Sequence, residues 1–288
     1  MSERKIIGVD MGGTKIHASL ISGKEIIAAC TLDTPAKESE KAVIERLIEA
    51  IEAVFQNGCE GIGIGVPSVV DAKKGIVYDV VAIQSWKEVH LKDILENHFK
   101  IPVYINNDSN CFALGEKFFG KGIDVSNFVG VTIGTGLGSG IIIENKLYHG
   151  INTGAGEIGS ISYKGGIIEQ YCASEFFASK GLDGEELYIA AKNGDKQALE
   201  VFNEYGGNLS EVVKIILYAY DPETIILGGS ISNAYEFFID AVWKGLDDFM
   251  YPVGLKTLKI EKSELNNSAV LGAAALVYNY KTETISEA

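Results

Sequence analysis

The chain has 288 residues and a formal net charge of −14, with 47% hydrophobic and 22% charged residues. That balance is ordinary for a globular protein and argues against intrinsic disorder, and the length allows one or two domains with sizeable cores. The acid excess, with Lys73-Lys74 as the densest lysine stretch, excludes a nucleic-acid-binding role that rests on a basic patch.

Met1-Ser-Glu-Arg-Lys5 leads directly into an apolar run, and no stretch reaches the roughly 20 apolar residues that cross a bilayer. The expectation is a cytoplasmic protein without a membrane partner. Residues 6–21, IIGVDMGGTKIHASLI, read as strand, glycine-bearing tight turn and strand, with a third strand over 25–32. Residues 38–55 place Val43, Leu47, Ile51 and Val54 at helical spacing, with Gly58 as the C-cap. A buried strand over 61–66 ends at Pro67; a helix over 91–99, a strand over 102–106 and a helix over 108–119 follow.

Residues 128–143, FVGVTIGTGLGSGIII, then repeat the texture of 6–21. Gly12 pairs with Gly134, Ile16 with Gly138 and Leu20 with Ile142, a constant offset of 122 (134 less 12). A third strand of the copy is expected over 146–150. Helices are expected over 172–182 and 196–220, a strand over 224–227 running into Gly228-Gly229, a helix over 234–247, a strand over 258–262 and a last apolar helix over 269–280. Strands alternating with helices, in a duplicated chain, predict an α/β fold with mixed sheets in two lobes and a central cleft.

The chemistry sits at the turns. In Asp10-Met-Gly-Gly-Thr-Lys15, Gly12 and Gly13 let backbone N–H groups approach phosphate oxygens with no Cβ between, and Thr14 adds a hydroxyl. Asp10, at a strand end, is placed to hold Mg2+ through water. A plain hairpin turn with a surface aspartate is the other reading. Gly134, Thr135 and Gly136 occupy the equivalent turn of the second copy, and two such turns from opposite lobes suit a polyphosphate. Glycine required only by tight turning is the alternative there. Residues 115–121 imitate a Walker A loop, but Gly122 stands where Ser or Thr must ligate magnesium, and the stretch follows a helix. Cys30, Cys59, Cys111 and Cys172 show no CxxC spacing and read as reduced thiols.

Asp10-x-Gly-Gly-Thr-Lys15, Asn107-Asp108-Ser-Asn110, the GTGLGSG of 134–140 and Gly154-Ala-Gly-Glu157-Ile-Gly159 together resemble the ROK family of sugar kinases and repressors, in the family's order over nearly the whole chain. The resemblance implies the duplicated actin/Hsp70/hexokinase-like ATPase fold, with an N-terminal lobe of residues 1–107 plus 268–288 and a C-terminal lobe of 108–267. It implies ATP-dependent phosphorylation of a hexose hydroxyl, glucose or a related hexose at O6, with Asp108 as the catalytic base. Asn107, Glu157, Glu169 and Ser68 fall on the sugar side. Asp10, Gly12, Gly13, Thr14, Lys15, Gly134, Thr135 and Gly136 fall on the nucleotide side, with Gly228 and Gly229 in an adenosine-side motif. ATP and Mg2+ are the implied cofactors. Asp108 also suits a helix N-cap.

The chain departs from the family in places. Ser160 stands where typical members carry histidine, and residues 161–168 hold no cysteine or histidine where members have a zinc loop. No zinc is therefore expected, and the placement of Glu169 is left open. Ser68 replaces a usual glycine, and Ala82 lies where an asparagine often precedes the tryptophan matched by Trp86. Fructose, mannose and an N-acetylhexosamine thus stay open as substrates. A sugar-sensing repressor would carry an additional N-terminal DNA-binding segment, whereas here the phosphate turn begins at Asp10 in an acidic chain. A catalytically silent sugar- and nucleotide-binding homologue is the other alternative. The expected partner is a small sugar, not nucleic acid, and the family's habit of pairing leaves a homodimer open.

Overall fold

The computed structural model describes residues 4–151 and 154–286. In chain order the first stretch forms β1 (Lys5–Met11), β2 (Lys15–Ser22), β3 (Glu25–Asp33), α1 (Glu40–Glu52), β4 (Cys59–Val66), β5 (Val69–Asp71), β6 (Ile76–Tyr78), β7 (Glu88–Val89), α2 (Leu91–Phe99), β8 (Val103–Asn107) and α3 (Asp108–Phe119). The second forms β9 (Phe128–Ile133), β10 (Leu137–Ile143), β11 (Lys146–Tyr148), β12 (Ser162–Tyr163), β13 (Gly166–Ile167), α4 (Ile168–Cys172), α5 (Ser174–Ala178), α6 (Gly184–Lys192), α7 (Lys196–Tyr220), β14 (Thr224–Gly228), α8 (Tyr235–Gly245) and β15 (Lys259–Lys262). The chain ends in α9 (Ser268–Ser286). By contact density it divides into one unit of Met1–Ile123, Lys146–Ala155 and Leu265–Ala288, and another of Asp124–Asn145 and Gly156–Glu264.

The repeat read from the sequence reappears in the sheets. One has the order β3-β2-β1-β4-β8 and the other β11-β10-β9-β14-β15. In each, the first strand of the repeat is antiparallel to the second and parallel to a later strand from beyond a helix. This is a duplicated α/β fold with mixed sheets, as expected.

Side-chain alternation explains how the first sheet is covered. Ile7, Val9 and Met11 of β1, with Ile62 and Ile64 of β4, join a core with Val43, Leu47 and Ile51 of α1. Gly8 and Gly63 face the other way. A Cβ on Gly8 would overlap the carbonyl oxygen of Val270, and one on Gly63 that of Ala273. Glycine at these two positions lets α9 lie directly on β1 and β4, with Ala273, Ala274 and Ala275 fully buried.

Several elements differ from the sequence expectation. α1 closes at Ala53 and not near Gly58, which instead takes a φ of 90° in the turn before β4. The helix expected over 172–182 is broken at Ala173, which is extended. There Ser174 donates its N–H to the Gly134 carbonyl at 2.9 Å and its hydroxyl to the Thr135 carbonyl at 3.2 Å, so a tie to the second glycine turn diverts the chain. α6 was not anticipated, although Asp183 caps it by accepting from the N–H groups of Glu185 and Glu186. The small three-stranded sheet β5-β6-β7 and the pair β12–β13 are also additions. All four cysteines are free, and three are buried. Among the described residues no helix is long and apolar enough to cross a membrane.

Candidate active site

In the first unit three parallel strands end together. Register sets Asp10 beside Gly65 and Gly65 beside Asn106. Adjacent strands lie about 4.8 Å apart, so Asp10 and Asn106 are roughly 10 Å from each other across the carboxyl edge of the sheet. That edge is where open α/β sheets bind ligands. The Gly12-Gly13 turn, Ser68 and Asn107-Asp108 all follow these strand ends. The buried Cys111 thiol is pushed up by burial and, beyond that, by the charges of Asp108 and Asp10.

The β8–α3 junction is held by its own side chains. Asn107 caps α3: its Oδ1 accepts from Ser109 N at 2.9 Å, and its Nδ2 donates to the Ser68 carbonyl at 3.3 Å. The capping role thus falls to Asn107, and Asp108 is the first helical residue, exposed, its Oδ1 also accepting from Ser109 N at 2.8 Å. A helix N-terminus favours a negative charge. Asn106 Oδ1 accepts from Asn107 N and from Asn110 Nδ2, which ties the strand end to the helix. The Ser68 hydroxyl donates to the Tyr78 carbonyl, so its proton is engaged within the unit.

The first glycine turn is closed differently from the expectation for Gly12. Its N–H donates to the Lys15 carbonyl at 2.9 Å and its own carbonyl accepts from Thr34 Oγ1 at 2.8 Å. Gly12 therefore shapes the turn. A Cβ on Gly13 would overlap that of Ala82, so glycine there admits the loop before Trp86. Thr14 and Lys15 are exposed. Asp10 is half-buried, and desolvation pushes its carboxyl above the ordinary value against the opposing effect of His17.

In the second unit two glycine turns meet. Thr132 of β9 pairs with Gly228 of β14, which brings Gly134 beside Ser230, whose Oγ would lie 3.4 Å from a Cβ at Gly134. Gly229 adopts a φ of 85°, and a Cβ there would overlap the Ile133 carbonyl. Beside this junction opens a pocket of about 440 Å³ walled by Phe177, Tyr188 and Phe202, with Ser174, Glu185, Ser230 and Asn233 as polar groups. Gly228-Gly229 was the only sequence signal for it; the aromatic walls come from α5, α6 and α7.

Glu169, the second residue of α4, accepts from Leu137 N at 2.9 Å through Oε2. The same oxygen would lie 2.6 Å from a Cβ at Gly136. Glu157 is exposed and precedes the short 3-10 turn Ile158–Ser160. Its carboxyl is pushed up by desolvation first and then by the charge of Glu169. Ser160 is exposed, and among the described residues no group of three or more His, Cys, Asp or Glu is arranged to hold a metal. The Cys172 thiol is pushed up to about 12 by burial, the state of an inert core thiol.

Known proteins resemble this chain in sequence and fold. The ROK family pattern matches residues 6–280. A glucokinase of Thermotoga maritima is 30% identical over 96% of this chain and 98% of its own length. A xylose repressor of Caldicellulosiruptor bescii is 31% identical over 94% of this chain and 77% of its own. Among solved structures, a ROK family glucokinase from Streptomyces griseus in complex with glucose and AMPPNP matches with a TM-score of 0.80 at 27% identity, over 94% of this chain and 98% of the other. The relatives thus include sugar kinases and repressors, on one fold. Over nearly its whole length, this chain belongs to the ROK family.

Proposed function

We propose that the protein transfers the γ-phosphoryl group of ATP to a hydroxyl of a small sugar, a hexose such as glucose at O6. The observation that carries the reading is the shared sheet edge of the first unit, with Asp108 opening α3 and Asp10 two strands away. As the sugar oxygen attacks the γ-phosphorus and the bond to the ADP oxygen breaks, the Asp108 carboxylate accepts the hydroxyl proton. Asn107, Glu157 and Glu169 hold the other sugar hydroxyls. Glu157 and Glu169 act as acceptors, and Asn107 uses the amide hydrogen not engaged with Ser68. Ser68 contributes only an acceptor lone pair, because its proton goes to Tyr78.

On the nucleotide side, Thr14 and Lys15 with Gly13, and the turn of Gly134, Thr135 and Gly136, serve the phosphates. The aromatic pocket beside Gly228 and Gly229 takes the base by stacking. A half-buried Asp10 whose charge is poorly solvated fits a hard cation bound largely by water and phosphate oxygens, as Mg2+ is. Mg2+ supplies neutralisation of phosphate charge when bound.

The test is coupled ADP release across a panel of hexoses, including fructose and N-acetylhexosamines, with ATP and Mg2+. Sugar-dependent release on at least one hexose is expected. ATP binding by calorimetry with no turnover on any sugar would overturn the kinase reading in favour of a silent binding protein.

A further inference from the structure

Glu169 is only as well placed as the segment that carries it. That segment, residues 158–171, contains no cysteine or histidine to anchor it through a metal. It contains the hairpin β12–β13, whose two turn residues, Lys164 and Gly165, have φ of 48° and 83°. Both central residues at positive φ define a tight hairpin turn. Glycine takes this conformation freely; lysine does so at a cost, so something must hold Lys164 there.

The contacts of Lys164 supply the reason. Its Nζ donates to Asn208 Oδ1 at 2.8 Å, and the Tyr163 hydroxyl donates to the same oxygen at 3.2 Å. Asn208 is buried on α7. The ammonium also lies 5.0 Å from the centre of the Tyr163 ring and 5.8 Å from that of Tyr171, within cation–π range of both. The Tyr171 hydroxyl returns a hydrogen bond to the Lys164 carbonyl at 3.0 Å. From this knot the order passes to Glu169: Ile168 N donates to the Ile161 carbonyl and Ile167 N to Gln170 Oε1, which joins the hairpin to the first turn of α4. The far end of α4 is fastened to the same helix by Tyr205, whose hydroxyl donates to the Cys172 carbonyl at 2.8 Å.

We infer that Lys164 is a positioning residue: bonded to Asn208 and set between Tyr163 and Tyr171, it fastens the hairpin to α7 and thereby fixes Glu169 where it meets the sugar. The inference rests on the sugar-kinase reading for its kinetic consequence, while its structural half stands apart from it. A lysine–aromatic–amide knot does the fastening with protein groups alone.

Lys164→Met keeps the length of the stem and removes the charge. The expected result is a rise of about tenfold in the sugar KM, the size of one partly lost hydrogen bond. The kcat and the KM for ATP stay as in the wild type, and Lys164→Arg, which keeps the cation and its stacking, restores the sugar KM. Independently, exchange of the Leu137 amide hydrogen, which Glu169 protects, should quicken in Lys164→Met when followed by NMR. Tyr171→Phe, removing one hydroxyl from the knot, should move both readouts in the same direction by less, and serves if Lys164→Met does not fold. Unchanged Leu137 exchange with an unchanged sugar KM would overturn the inference, as would loss of kcat and of both KM values together without rescue by arginine. If the wild type turns over no sugar, the kinase reading alone fails, and Leu137 exchange still decides whether Lys164 holds Glu169.

Discussion

Gly136→Ala is the substitution whose consequence can be worked most directly from the geometry. The new Cβ would stand 2.6 Å from Glu169 Oε2, against 3.4 Å for an ordinary contact. The carboxylate must therefore retreat by about 0.8 Å. A straight retreat lengthens its 2.9 Å bond from Leu137 N to roughly 3.7 Å, beyond hydrogen-bond range. Leu137 is buried, so its N–H is left without a partner, at a cost of about 1–3 kcal/mol. Glu169→Ala removes the same bond from the other side. The two changes should therefore not add: the double variant is expected to lose no more stability than the worse single variant, a coupling of about 1–2 kcal/mol. Urea unfolding of the four proteins, followed by circular dichroism, gives the cycle. The small gain from restricting the unfolded chain at position 136 appears in both backgrounds and cancels. Strict additivity would refute the claim that Gly136 is glycine to make room for Glu169.

Gly63→Ala should destabilise by about 1–3 kcal/mol or more, because its methyl meets the α9 backbone and not a mobile side chain, and a lowered midpoint in chemical denaturation is the check. The Glu157 carboxyl is raised above its ordinary value of 4.5 in the folded protein, so the folded state holds that proton more tightly than the unfolded chain. Its ionisation thus opposes folding as pH rises through the interval above 4.5, and Glu157→Gln should be neutral to stabilising at higher pH. If Glu157 accepts from the sugar as proposed, binding needs its ionised form, so kcat/KM for sugar should climb over the same interval. Glu169→Gln, which removes the neighbouring charge, should shift that acidic limb to lower pH. Tyr188→Ala should raise the KM for ATP by about tenfold through lost base stacking while leaving the sugar KM in place, as steady-state kinetics would read.

The features legible in the sequence were those written locally. The repeat at 6–21 and 128–143 was visible because Gly12 and Gly134 and the apolar strands around them fall at one constant offset, and the sheets repeat the same order. The bounds of α2 and α3 were equally plain, since each helix directly precedes or follows a strand with little loop between. The identity of the α3 cap was not, because Asn107 and Asp108 are both good caps and only the backbone angles decide between them. Tertiary ties were hidden altogether. The break at Ala173 comes from Ser174 bonding to the Gly134 turn, and the order of the hairpin comes from Lys164 reaching Asn208, 44 residues away. α6 does carry a readable start, Asp183 followed by Glu185 and Glu186. The pocket beside Gly229 could not have been seen, because its aromatic walls come from three helices that no motif links.

The measurement that bears most directly on the whole account is sugar-dependent ADP release by Asp108→Asn, with sugar and ATP affinities measured in parallel. Asparagine keeps the size of the side chain at the start of α3 and removes its charge and its ability to take a proton. The account requires turnover to fall by about 10²- to 10⁴-fold with both ligands still bound. Turnover at the wild-type rate would contradict it.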